Sequence, residues 1–356
     1  MSFDFVLGVV GAVQGVFLVL LVTFLSVRRS YERRRHAAFS ASRGAVAEPL
    51  RAWLVAGHHP EPVVRAIRSM PRGTAIGYVS LLARQTIPEA QREEFAEALR
   101  GEPWILQAIS QSRSRYWWRR LESARALALI GGPHDSAVVE KLLADSHPAV
   151  QIAAISCLPH VGGAGLIGSV LDRHSTLPKV VRQYLTHGLR RSGAAVGPAL
   201  AQRIRDGVRM EDLASWIELA EALDDPGAIR AALERVAHPA EGVRRTVARA
   251  LRRLPGPDSQ RALELLFLDP VPSVRAAAAR TAGELSAATI VPALEPLLRD
   301  RVWVVRLRAA MSLAHLGERG RSALRAAREG ADPYAADMAR MVSGLSEGAL
   351  FELGDA

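Results

Sequence analysis

Between Asp300 and Gly317 the chain reads DRVWVVRLRAAMSLAHLG, with an Asp six residues ahead of Arg306 and apolar or small residues at Leu307, Ala310, Leu313 and Leu316. That spacing puts one apolar stripe on a helix, and the polar residues ahead of it supply its start. The pattern recurs. Steps of 31 residues back from Arg306 land on Arg275, Arg244, Leu213, Arg182, Gln151 and Arg120, and one step forward lands on Asp337. Six such steps apart, Trp117, Arg120, Leu121, Ala124, Leu127, Ile130 and Gly131 match Trp303, Arg306, Leu307, Ala310, Leu313, Leu316 and Gly317. A strict period of this size marks a stacked repeat, and it predicts an all-α fold: a right-handed α-solenoid of helix pairs with a 31-residue period.

Punctuation divides each unit. Asp145, Asp269 and Asp300 stand six residues before the Arg position, where a carboxylate can cap the N–H groups of the new helix. Pro148, Pro178, Pro239 and Pro272 fall in the turn or the first helical turn, where a missing N–H costs little. Gly131, Gly162, Gly193 and Gly317 mark the turn to a second helix, expected at Ala137–Leu143 and Ile290–Leu298. A helix pair this short buries its stripe only by stacking on a neighbour. Leu213 and Gln151 break the Arg position, so the Met210–Leu223 unit reads as degenerate, a point where the stack can bend. Ahead of the grid, runs at Leu50–Val55, Pro62–Met70, Ala75–Gln85, Pro88–Leu99 and Pro103–Ile109 predict an atypical helical cap that packs Trp53 and Trp104. The expected order is a membrane segment with its arginine cluster over 1–35, a linker or helical extension over 36–48, the cap over 49–113, repeats over 114–344 and a tail over 345–356.

Composition adds compartment. Phe5–Val27 is a run of 23 residues without an ionised side chain, long enough to span a bilayer. Arg28, Arg29, Arg33, Arg34 and Arg35 follow it, against Glu32, while Asp4 is the one charge ahead of it. The positive-inside rule places the N-terminus outside and the body in the cytoplasm, as a single-pass protein of the cytoplasmic membrane. The five arginines are placed to meet acidic lipid headgroups. A cleaved signal peptide fits poorly: there is no basic n-region, the apolar run is too long and arginines occupy the cleavage position. Within the run, Gly11 and Gly15 form a G-x-x-x-G spacing that lets another membrane helix approach closely. The aromatic content of 5% suits helical packing better than sheet. Cys157 is the single cysteine, which excludes an internal disulfide and a cysteine zinc cluster, and it reads as a small buried residue. The net charge of +10 is almost all Arg, since Lys141 and Lys179 are the only lysines, and it points toward an anionic partner.

The D-x-x-x-x-V-R-x-x-A-x-x-x-L pattern of Asp300–Leu313, and of Asp269–Ala282 with Ala at the last apolar position, resembles the HEAT repeat in its short bacterial variety. It covers Ser114 to about Gly344. The membrane helix ending in arginines, Tyr116-Trp117-Trp118-Arg119-Arg120 and Asp332-Pro333-Tyr334-Ala335-Ala336-Asp337-Met338-Ala339 together resemble a group of bacterial single-pass membrane proteins with a cytoplasmic HEAT domain. Members of that group are often found beside a membrane glycosyltransferase. The resemblance implies an association with cell-surface polysaccharide assembly and a polysaccharide-synthesising glycosyltransferase as partner. It specifies no reaction.

Linear motifs for chemistry are missing. Gly163-x-Gly165-x-x-Gly168 has the glycines of a dinucleotide fingerprint but neither a preceding strand nor an acidic residue about twenty positions on, where Tyr184 and Leu185 stand. The histidines are scattered, without a metal-ligand spacing. No catalytic, cofactor or metal residue is therefore assigned. Val150–Leu171 is apolar, yet its place on the grid and its glycines predict helix, turn and helix. If the Arg-started helices line a concave face, positions two, five, eight and nine after each Arg supply a groove. Those residues are Arg125, Arg190, Arg191, Arg249, Arg252, Arg253, Arg280 and Arg308, countered by Glu122, Glu218, Glu221 and Glu284. Such a groove can grip an acidic peptide or a cytoplasmic loop of a protein partner through charge-assisted contacts. The expectation is a non-enzymatic, membrane-tethered scaffold. Two alternatives remain open. One is nucleic-acid binding, because some HEAT-like proteins are DNA glycosylases; the anchor and the lack of a basic-aromatic stripe speak against it. The other is lyase activity, because such repeats occur in bilin-attaching enzymes; the lack of a candidate site speaks against it and against a small-molecule substrate.

Overall fold

The structure is a computed structural model of the 356-residue chain, and it describes residues 44, 46–55, 59–83, 87–285, 287–346 and 348–349. The expected membrane segment Phe5–Val27 and the arginines at 28, 29, 33, 34 and 35 lie outside these residues. Among the described residues all regular structure is helical, and no helix is long and apolar enough to cross a membrane. The chain divides into two compact units, Met1–Val161 and Gly162–Ala356.

In the first unit, helices at 46–55, Glu61–Arg68, Arg72–Leu82, Glu89–Arg100 and Pro103–Ser110 replace the five expected runs with small shifts of boundary. Their core holds Trp53 stacked on Phe95, with ring centroids 4.8 Å apart, and it is continuous with Ala126, Leu129 and Ile130 of the Trp117–Ile130 helix. The cap thus buries its apolar surface against the first regular repeat. Trp104 packs at its margin. Buried Arg92 donates to the carbonyls of Leu129 and Gly131, and Arg100 to that of Ile130 and to both oxygens of Asp135. These arginines satisfy the carbonyl end of the repeat helix, which has no further turn to accept from. Gly131 sits where a Cβ would meet the Leu127 carbonyl oxygen at 2.4 Å, so only glycine lets the chain leave the helix there.

The second unit stacks helices Lys179–Arg191, Val196–Asp206, Met210–Leu223, Pro226–Leu233, Glu241–Ala250, Pro257–Phe267, Pro272–Glu284, Trp303–His315, Gly317–Glu329 and Pro333–Ser343. Gly283 lets Pro272–Glu284 and Trp303–His315 approach closely, since a Cβ there would lie 2.9 Å from the Ser312 Cα. Ile290–Leu298, expected as one helix, is a short α segment at Val291–Leu294 flanked by tighter 3-10 turns. The reason is Pro296, which removes an N–H inside the helix and crowds the preceding turn.

The corner carboxylates do more than the expected capping. Arg120, Arg244 and Arg275 each grip, by two parallel bonds of 2.5–2.9 Å, the Asp that lies 25 residues on: Asp145, Asp269 and Asp300. Their Nη1 groups donate to a carbonyl six residues back, that of Ser114, His238 or Asp269, at 2.7–2.9 Å. Each Asp also accepts the N–H two residues on, at 2.8–2.9 Å. In the second unit this makes a run from Arg244 through Asp269, Arg275 and Asp300 to Arg306, whose Nη1 takes the Asp300 carbonyl. Gln151, at the Arg position, keeps only the carbonyl bond, to Asp145.

The run stops at Arg306. Its carboxylate would come from position 331, where Ala331 stands, and its Nε is buried without a partner. Asp332, one position late, caps its own helix by accepting the Ala335 N–H at 2.8 Å. The Arg306 guanidinium lies over the Tyr334 ring instead, 5.1 Å from its centroid.

The degenerate repeat replaces the arginine with fully buried Leu213 and is held differently. Trp216 Nε1 donates to the Leu171 carbonyl at 2.8 Å, Ser175 donates to Asp212, and His174 Nδ1 lies 2.6 Å from Ser215 Oγ. Burial, helped by the Arg182 charge, pulls the His174 pKa from 6.5 down to about 4.

Three outcomes follow from these contacts. Removing one carboxylate, Asp269→Ala, strands a largely buried arginine and lowers stability by about 3 kcal/mol in urea unfolding. Ala331→Asp supplies the missing acceptor for Arg306 and raises the unfolding midpoint, by about 1 kcal/mol for one charge-assisted bond. Acid dependence has two windows. His174, neutral when folded, contributes stability that is complete above pH 6.5 and lost as pH falls toward 4, so His174→Gln flattens that limb, worth up to about 3 kcal/mol. For Asp145, Asp269 and Asp300, burial alone raises the carboxyl pKa, but arginine hydrogen bonds, the backbone N–H and the arginine charges outweigh it and hold each below the usual range. Their contribution is therefore complete above about pH 4 and is lost below it.

Candidate functional site

Within the second unit, Arg245, Arg249 and Arg252 stand at i, i+4 and i+7, so they project from one side of the segment formed by Glu241–Ala250 and its following turn. Together with Arg280 of Pro272–Glu284 and Arg308 of Trp303–His315 they line a cavity of ≈ 340 Å³. Ala276, Ala277, Thr281 and Glu284 complete the lining. Small side chains at 276 and 277 leave the space that the guanidinium groups rim.

The site is a charge network rather than a bare cationic patch. Glu221, 5% exposed, lies 2.5 Å from Arg252 and 3.7 Å from Arg249. Its Oε1 has no aligned hydrogen bond, so the Arg252 contact is ionic without donor geometry. Arg249 is 3.8 Å from Glu218, while Glu284 takes Arg280 at 3.2 Å and Arg252 at 3.6 Å. Arg249, Arg252 and Arg280 thus share three glutamates. Burial first, then the charge of Arg280, lowers the Arg308 pKa, against the pull of Glu284. A carboxylate or phosphate entering beside Arg280 and Arg308 relieves that repulsion, and Arg forks bind such groups bidentately.

Of the eight arginines expected in one groove, four meet here: Arg249, Arg252, Arg280 and Arg308. Arg253 is exposed on the Leu251–Arg253 turn outside the lining. Arg190 donates to the Ala222 carbonyl at 2.5 Å, at the negative end of Met210–Leu223, and Arg191 is exposed on the same helix as Arg190. Arg125 and Glu122 belong to the first unit. The expectation missed Arg245, whose spacing to Arg249 and Arg252 was the available signal.

Other candidate groups serve the fold. Cys157 is fully buried, with Sγ 3.5 Å from the Ala124 carbonyl, and burial, then the Asp135 charge, pushes its pKa up. His147 and His238 accept N–H groups at helix starts, from Ala149 and Ala240. Gly163, Gly165 and Gly168 open or lie within the helix Ala164–Asp172, with no strand among the described residues. Among those residues no three His, Cys, Asp or Glu side chains group to hold a metal ion.

Residues 259–343, which include most of the Asp–Arg run and Arg280 and Arg308, match the family model described as HEAT repeats. Among the described residues the fold is all-α, with HEAT repeats over 259–343. Two solved structures are similar to the chain. One is an engineered protein, 18% identical, covering 84% of this chain and 98% of that one, with a TM-score of 0.33. The other is human deoxyhypusine hydroxylase in complex with glycerol, 18% identical, covering 70% of this chain and 96% of that one, with a TM-score of 0.29. No curated protein matches the chain. HEAT-repeat architecture suits protein binding, because stacked helices leave an extended surface whose residues are set by repeat position.

Proposed function

We propose that the HEAT-repeat protein is a non-enzymatic scaffold, tethered to the cytoplasmic membrane by Phe5–Val27, that holds an acidic segment of a membrane-resident partner in the arginine-lined cavity. The observation that carries this reading is the convergence of Arg245, Arg249, Arg252, Arg280 and Arg308 on one cavity. Cationic side chains gathered in one cavity select an anionic group and raise the rate of encounter. Tethering raises the local concentration of a partner in the same membrane, so modest affinity at the cavity suffices. The partner class is that implied by the sequence resemblance, a glycosyltransferase that builds cell-surface polysaccharide. The arginines at 28, 29, 33, 34 and 35 add headgroup contacts beside the tether.

The test is crosslinking in native membranes from the full chain, with capture read by mass spectrometry. Arg249→Glu with Arg308→Glu reduces capture of the acidic partner at least tenfold, as expected when two forks are reversed. Arg253→Glu, outside the cavity, leaves capture unchanged. Equal loss in both variants, or none in either, removes the cavity from the reading. Recovery of nucleic acid in place of a membrane protein, with steep salt dependence, replaces the scaffold reading with nucleic-acid binding.

A further inference from the structure

The first unit exposes a basic-aromatic corner that neither the fold nor the arginine cavity uses. Trp117 is 39% and Trp118 49% exposed, at the start of the Trp117–Ile130 helix. Tyr116 stacks on Trp118, centroids 4.6 Å apart, and Trp118 meets Trp117 edge-on at 6.2 Å. His147 lies flat on Trp117 at 3.9 Å with the rings 1° from parallel. Arg115 and Arg119 stand over the Tyr116 ring at 4.5 and 5.3 Å, and Arg115 also donates to the Tyr116 hydroxyl. Arg113, Arg115 and Arg119 are all exposed, whereas Arg120 is committed to Asp145. From Pro103 to Leu121 the chain carries no acidic residue.

Leaving much of Trp117 and Trp118 in water is unfavourable, and the apolar stripe of this helix, Ala124 to Ile130, is buried without them. The rings are interlocked and rigid. Each already stacks on a neighbour, so the open faces that a base would need are taken up, which speaks against single-stranded nucleic acid. What the corner offers is a wedge of amphipathic rings with a rim of guanidinium groups. Tyr and Trp settle at the headgroup level of a bilayer, where ring and polar edge are both satisfied, and arginine forks bind phosphate.

We infer that the Tyr116–Trp118 corner, with Arg113, Arg115 and Arg119, is a docking surface for an anionic phospholipid bilayer. It lies wholly in the described residues and is separate from the proposed tether. A second point of attachment fixes the orientation of the first unit at the membrane, where a single tethering segment leaves it free to rotate.

The full chain is incubated with vesicles of phosphatidylcholine, with or without phosphatidylglycerol, whose acyl chains carry bromine, and tryptophan emission is followed. With phosphatidylglycerol present, emission is quenched and blue-shifted. In the Trp117→Phe, Trp118→Phe variant most of that quenched fraction disappears while sedimentation with vesicles is kept. Arg115→Gln and Arg119→Gln each weaken the phosphatidylglycerol-dependent quenching about fivefold. Retention of the chain in the bilayer reads the tether and quenching at 117 and 118 reads the corner, so the two fail separately. Quenching that ignores phosphatidylglycerol, or that persists unchanged in the double phenylalanine variant, overturns the inference. A vesicle-independent emission shift of these two tryptophans on adding single-stranded oligonucleotide assigns the corner to nucleic acid instead.

Discussion

A guanidinium gripped by a carboxylate of the next repeat and by the carbonyl of its own corner is the joint on which the regular repeats depend. Each arginine closes two turns at once: Arg275 takes both oxygens of Asp300 and the carbonyl of Asp269, whose own carboxylate belongs to Arg244. The planar fork with its donors on two sides allows this, and a lysine, with one point charge, does not. Partly buried ion pairs contribute little net stability by themselves, because both charges are desolvated. Their larger effect is registry. An apolar stripe of Ala and Leu can slide along its neighbour at small cost, whereas a bidentate pair has one geometry.

Registry places the chemistry. Because each repeat is held one period from the last, side chains one, two, five or eight positions after the joint arrive beside one another from consecutive helices, and five arginines line one cavity with Ala276 and Ala277. The same rule acts at the helix starts. Trp117, Trp303 and Tyr334 share one repeat position and are all exposed, and in each unit an arginine stands over a tyrosine at that corner, Arg115 and Arg119 over Tyr116 and Arg306 over Tyr334. Where the joint is missing, at Leu213, hydrogen bonds of His174, Ser175, Ser215 and Trp216 substitute. Those groups are neutral or local, so that part of the stack is tied by packing more than by a charged run.

The helices were legible to within a few residues because their signals are local: apolar spacing, proline at the start and glycine at the end all act within one turn. The break in Ile290–Leu298 shows the limit, since Pro296 tightened the helix where the apolar pattern alone ran on. The corner aspartates were located, but only the N–H contact at the helix start was part of the expectation. A carboxylate ahead of a helix reads as a cap, and only the fold reveals that the arginine 25 residues earlier reaches it first. Four of the eight arginines expected in one groove line the same cavity, and Arg245 was passed over because the first position after the joint faces it only once the stack is built.

The sequence alone determined that this chain is all-α and repeats every 31 residues, because periodicity in apolar and charged positions survives without knowledge of any long-range contact. It also determined which repeats deviate at the Arg position, since Leu213 and Gln151 can be read from the grid. Tertiary structure decided what the deviations do and which charges meet. Arg306 loses its carboxylate and turns to Tyr334, Glu221 is buried between Arg249 and Arg252, and the aromatic run at 116–118 stacks outward instead of joining the core. These outcomes depend on distances between residues tens of positions apart, and electrostatic energy depends on those distances and on burial, neither of which is written in the order of the residues.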